Sequence, residues 1–251
     1  MKIQICSDLH LEFPENRAWL KEHPLIPKGD ILIIAGDVYY LNGDYNALTF
    51  IDQVSANFEQ TYIIPGNHEY YDGFDVGTAK GPMEIQIRDN VRVLNNTCVE
   101  IEGTTFIFST LWSKIEKHGY YVRRGMADFF RIRYEGHPFR VHHFNELHDI
   151  AFDFIAQASK KEGRKIVVTH HLPSSHCNLE IYKDSLLNEA FCIDKTTFIE
   201  QSSIDYWVYG HSHGNKDDFE IGGTKLVTNQ LGYVGQGEHK SFLLDKVIEV
   251  K

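Results

Sequence analysis

The chain predicts an α/β protein with mixed sheets. Short apolar runs recur along it, and each breaks abruptly into a polar cluster. Stretches with helical spacing lie between the runs, and two glycine-centred segments read as hairpins.

KIQIC (2–6) runs into SDLH, DILIIA (30–35) into GD, TYIIP (61–65) into GNHE, KIVVT (165–169) into HH, and DYWVY (205–209) into GHSH. These runs are short and rich in Ile, Val and Tyr, which suits buried strands. Residues 45–58 place Leu48, Ile51, Val54 and Phe58 on one helical face. Residues 143–160 do the same with Leu147, Ile150, Phe154, Ile155 and Ala158. CVEIEGTTFIFS turns at Gly103, and DDFEIGGTKLVTN turns at Gly222-Gly223, so two antiparallel hairpins are expected beside parallel pairs.

The 251 residues suit one domain, 1–251. With 42% hydrophobic residues the chain can build a sizeable core. A net charge of −10 repels polyanions, so nucleic acid is not the expected partner. MKIQICSDLH lacks the charged and apolar regions of a signal peptide, and no apolar stretch nears the ~20 residues a membrane span needs, so no membrane partner is expected. Cys6, Cys98, Cys177 and Cys192 are widely spaced, which reads as free thiols of a cytoplasmic protein, with Cys6 in the core.

The polar clusters carry the chemistry. In open α/β sheets, ligands bind beyond the carboxyl ends of strands. Five such ends here offer Asp8 and His10; Asp37; Asn67 and His68; His170; and His211 and His213. Carboxylates, imidazoles and an amide oxygen are metal-ligand chemistry, and they are too many for one four-coordinate ion. Two ions sharing a carboxylate would use them all, and such pairs, ~3.5–4 Å apart, clamp an in-line displacement at phosphorus. A single metal or a structural zinc is the alternative.

DLH, GD, GNHE, a histidine after an apolar strand, and GHSH stand here in the order of the calcineurin-like metallophosphoesterase superfamily, which the sequence resembles. The wider wording SDLHLEF, PGNHEYY, TLWS and VVTHHLPS is similar to its small bacterial cytoplasmic members. The resemblance implies a four-layer α-β-β-α sandwich of two packed mixed sheets flanked by helices. It implies that Asp8, His10, Asp37 and His213 hold one divalent ion. Asp37, Asn67, His170 and His211 would hold the other, with Asp37 bridging. His68 would face the leaving group.

The chemistry expected of such a site is phosphoester hydrolysis. Two divalent ions outweigh the ligand carboxylates, attract a phosphate and lower the pKa of a bridging water to hydroxide. A histidine in the position of His68 titrates in the range needed to protonate the departing alkoxide. Asn67 adds a ligand without adding negative charge. The donor set accepts manganese, iron or zinc.

Other residues receive quieter readings. His171 lines the pocket or backs a ligand, and Glu69 holds its loop. His142, His143 and His148 decorate a solvated helix face. GDVYY places Tyr40 where purple acid phosphatases carry an iron-binding tyrosinate, but those enzymes lack the histidine present here as His10, so Tyr40 reads as packing or pocket wall. Residues 120–140 hold five of the nine arginines and six aromatics, within a possible substrate flap spanning about 112–140. Asp128 and Arg131 are its candidate substrate contacts.

The expected function is hydrolysis of a small phosphomonoester or phosphodiester, a nucleotide-like one among the candidates, by a monomeric protein. A nuclease and a catalytically silent metal-binding scaffold are the alternatives.

Overall fold

The computed structural model describes residues 1–250. Its first half contains β1 (Lys2–Cys6), α1 (Pro14–Glu22), β2 (Ile31–Ile34), α2 (Thr49–Asn57), β3 (Gln60–Ile63), β4 (Met83–Arg88), β5 (Val91–Asn95), β6 (Thr97–Ile101) and β7 (Thr104–Phe108). Two short helices follow, α3 (Gly119–Gly125) and α4 (Asp128–Arg131), then the two-residue strands β8 (Arg133–Tyr134) and β9 (His137–Pro138). The long α5 (Val141–Ala158) leads into β10 (Arg164–Val168), α6 (Thr196–Gln201), β11 (Tyr206–Val208), β12 (Phe219–Ile221), β13 (Thr224–Val227) and β14 (Val247–Glu249).

Two six-stranded sheets form, ordered β14-β1-β2-β3-β5-β4 and β12-β13-β11-β10-β7-β6. In each, four central strands run parallel and the edge strands are antiparallel. Both glycine-centred hairpins are present, as β6–β7 and β12–β13.

Period-2 alternation sorts the side chains into layers. Ile31 and Ile33 of β2 meet Phe106, Phe108, Ile166 and Val168 between the sheets. Their neighbours Leu32 and Ile34 face outward onto Ile51, Val54 and Phe58, on and just after α2. On the other sheet, Ile107 and Val167 face Ala151 and Ile155 of α5 and Ile199 of α6. Strands buried on both faces explain why the parallel runs read as continuously apolar. Cys6 is buried as expected, and all four cysteines are free. Among the described residues no helix is long and apolar enough to cross a membrane.

The helices differ from expectation at their ends. Residues 45–47 form a separate 3₁₀ turn, because the Asp44 side chain accepts the Asn46 N–H and Leu48 is extended. The second helix begins two residues earlier than expected, at Val141, where His143 Nδ1 accepts the Arg140 backbone N–H. The solvated reading of its histidines holds only for His142. His143 is half-buried and stacks on Tyr134 at 4.0 Å. His148 is buried and its Nδ1–H donates to the Trp112 carbonyl. Trp112 anchors a fourth apolar cluster under residues 112–144, whose burial needs that inward face of α5.

Candidate metal centre

The polar turns that end β1, β2 and β11 hold their residues in an unusual backbone state. Asp8, His10, Asp37, His211 and His213 have φ of 56°, 47°, 56°, 77° and 51°, in the left-handed region. For non-glycine residues this costs of order 1–3 kcal/mol each and persists where the surroundings enforce it. The enforcement is visible. Asp8 N–H donates to the Gly36 carbonyl at 2.9 Å, and His10 N–H to the Asp37 carbonyl at 2.8 Å. His211 N–H donates to Asp8 Oδ1 at 3.0 Å. Glu69 accepts N–H groups of Asp37, Val38 and Gly66, which pins the second and third turns together. Two glycines permit the close approach. A Cβ on Gly66 would stand 2.1 Å from Asp37 Oδ1, and one on Gly210 would stand 2.7 Å from Asp8 Oδ2.

These turns gather the side chains into two groups that share Asp37. Asp8, His10, Asp37 and His213 offer donor atoms within 4.8 Å of one another, and so do Asp37, His170 and His211. His10 Nε2 lies 2.9 Å from His213 Nε2, His213 Nε2 lies 3.5 Å from Asp8 Oδ1, and His10 Nε2 lies 3.7 Å from Asp37 Oδ2. In the second group, His170 Nε2 lies 3.4 Å from Asp37 Oδ2 and 3.2 Å from Asn67 Oδ1.

The far nitrogens decide which way the lone pairs point. His10 Nδ1–H donates to Glu12 Oε1 at 3.1 Å, and His213 Nδ1–H to Glu238 Oε2 at 2.9 Å. His170 Nδ1–H donates to the Ala35 carbonyl at 2.8 Å, and His211 Nε2–H to the Ala190 carbonyl at 3.3 Å. Each imidazole therefore turns its other nitrogen inward, the arrangement that metal-binding histidines adopt. Two imidazole nitrogens facing each other at 2.9 Å need a shared proton or a metal ion between them. Asn67 is oriented alike: its amide N–H groups donate to Tyr71 Oη and Asp128 Oδ1, both at 2.9 Å, leaving its oxygen toward His170. This donor set of imidazole nitrogens, carboxylates and an amide oxygen fits two divalent cations.

His68 stands at the edge of the cluster. Its Nδ1–H donates to Glu12 Oε1 at 2.6 Å, and Tyr233 Oη lies 3.4 Å from its Nε2. Burial works against the His68 imidazolium, but Asp37 and Glu12 outweigh it and raise its pKa. Burial likewise opposes ionisation of Glu12, yet hydrogen bonds from His10 and His68 lower it to about 2. Glu12 thus holds two histidines with one oxygen, a role the sequence reading missed. Its position two residues after His10 was the available signal. Glu238, which braces His213 from 25 residues along the chain, carried none.

The remaining candidates separate. Arg131 lines a cavity of about 480 Å³ above the cluster, together with Asn67, His68, His211, His213, Met126, Leu187 and Phe191. Asp128 does not line it. Its carboxylate is buried behind Asn67 and Tyr71, and burial raises its pKa, so it positions Asn67 instead of meeting a substrate. His171 is also buried and off the cavity, with its ring 4.2 Å from His211 and 5.2 Å from Trp112. Tyr40 faces Arg131, accepting from Nη2 at 3.4 Å.

Comparison with known proteins adds a family. A family model described as calcineurin-like phosphoesterase matches residues 1–215. A protein of Acanthamoeba polyphaga mimivirus, described as uncharacterized protein L509, is 27% identical over 267 residues, covering 92% of this chain and 91% of that protein. The crystal structure of phosphopantetheinyl hydrolase from Mycobacterium tuberculosis superposes with a TM-score of 0.67 at 18% identity, covering 95% of this chain and 92% of that one. That likeness speaks to the fold alone, and the two-sheet architecture agrees with it.

Proposed function

The chain belongs to the calcineurin-like phosphoesterases, and on that premise we propose that it hydrolyses a small phosphomonoester or phosphodiester with two divalent ions at the strand ends. Asp8, His10, Asp37 and His213 hold one ion, and Asp37, Asn67, His170 and His211 hold the other. The observation that carries this reading is the inward aim of one nitrogen from each of four imidazoles, each fixed by a hydrogen bond on the opposite nitrogen. When bound, the two ions neutralise phosphoryl oxygens and make a water nucleophilic at neutral pH.

The chain's own residues do the rest. His68 gives a proton from Nε2 to the oxygen of the departing alcohol, while Glu12 fixes its Nδ1–H and favours its charged form. Water and a monoester become phosphate and an alcohol; water and a diester become a monoester and an alcohol. Asp128 and Tyr71 keep the Asn67 oxygen aimed at its ion.

The test is turnover by metal-stripped protein given manganese, with mono- and bis-para-nitrophenyl phosphate as substrates. Manganese-dependent hydrolysis is expected in wild type. Asp37→Ala is expected to bind neither ion firmly and to fall to the uncatalysed background. No hydrolysis of either ester by protein carrying two ions per chain would overturn the reading in favour of a silent scaffold.

A further inference from the structure

Resting on the phosphoesterase reading, we infer that the cavity over the metal centre seats an uncharged apolar or aromatic arm of a singly phosphorylated ester, with Arg131 on a non-reacting phosphate oxygen. The cavity, about 480 Å³, has room for such an arm. Its walls are hydrocarbon and ring: Met126 from the link between α3 and α4, Leu187 and Phe191 from the loop before α6, and Tyr71 and Tyr233 nearer the metals.

Among the described residues, Arg131 is the sole lysine or arginine lining it. Among the described residues this guanidinium has no carboxylate partner. It lies over the rings of Tyr71 at 4.9 Å and Tyr40 at 5.7 Å and touches the Tyr40 hydroxyl. Aromatic stacking fixes its plane and leaves most of its donors free for an anion. Of the acids in the lining, Asp37 belongs to the metal cluster and Glu238 is occupied by His213 and the Tyr233 N–H. One cation beside the metals matches one phosphate group. A nucleic-acid strand or a polyphosphate would need a track of cations that this cavity lacks.

The walls are also preformed. Glu189 accepts the backbone N–H groups of Glu116, Lys117 and His118, tying the loop before α6 to the segment that leads into α3. Leu187 then leans on the end of α3 at Gly125, where a Cβ would stand 2.8 Å from Leu187 Cδ2. An arm entering such a slot displaces water from apolar surface without first ordering the protein.

Non-hydrolysable phosphonates test this apart from turnover. Methylphosphonate and phenylphosphonate would be titrated calorimetrically into the manganese-loaded full chain, at a pH above both second ionisations. Phenylphosphonate is expected to bind about tenfold tighter or more, the gain of burying one ring. Leu187→Asp should bring the ratio near one, and Leu187→Met should keep it. Arg131→Gln should weaken both ligands while preserving their ratio. Equal affinities in wild type, or binding of neither, would overturn the inference. A preserved preference in a protein that hydrolyses no ester would support the cavity and sink the hydrolase reading alone.

Discussion

The floor and the walls of the cavity are built by opposite rules. The floor is made of strand-end turns, buried, left-handed at five positions and locked by hydrogen bonds between neighbouring strands. Most of the walls come from residues 125–131 and 178–191, short helices and loops that also carry exposed rings such as Phe130 and Tyr182. A floor of this kind holds atoms to a fixed geometry, as chemistry on phosphorus demands. Walls of this kind need only shape and apolar surface, so many sequences would serve. On the proposed reading, the reaction class is therefore written in the floor and the substrate choice in the walls.

Substitutions on the two sides should separate accordingly. The largest effect after loss of Asp37 belongs to His68→Ala. It should lower turnover of an alkyl phosphate roughly 10²–10⁴-fold and that of para-nitrophenyl phosphate much less, since only the poor leaving group needs the proton. Equal losses on both esters, measured with both ions bound, would remove His68 as the acid.

Glu12→Gln comes next. The carboxylate accepts from both His10 and His68, so the variant should lose about 10–100-fold in manganese affinity and turnover together. Unchanged metal affinity by calorimetry would confine Glu12 to the His68 side.

The smallest effect on turnover is expected where the wall segment is anchored. Burial, only partly offset by the hydrogen bond to the Trp112 carbonyl, holds His148 at about 4 instead of the usual 6.5. The unfolded chain then binds a proton that the folded chain refuses. This contribution to stability is whole above about pH 6.5 and is lost as pH falls toward 4. Urea unfolding of His148→Gln should show an acid decline flatter than wild type by up to about 3 kcal/mol across that window. Turnover at neutral pH should be unaltered. Parallel declines would show that other groups carry the acid sensitivity.

The same contrast explains what could be read from the chain. Asp8, Asp37, Asn67, His170 and His211 were legible because a strand must end before each, and a buried strand announces itself by an unbroken apolar run. Glu12 was half-legible, adjacent in sequence but without a motif of its own. The solvated reading of His148 failed because the 3.6-residue period shows which face is apolar but not that a second cluster, built on Trp112, claims the neighbouring face. The reading of Asp128 as a substrate contact failed for a related reason: nothing local shows that its carboxylate turns inward onto Asn67.

By itself, then, the sequence determined the α/β class, the five strand ends and the family, because strand burial and turn geometry act over a few residues and each strand end carries its own short motif. Only the tertiary structure decided which nitrogen of each histidine points inward, which carboxylates brace them, and which apolar side chains wall the cavity. Those choices are made by contacts between segments far apart in the chain, such as His213 with Glu238 and Leu187 with Gly125, and no local pattern records them.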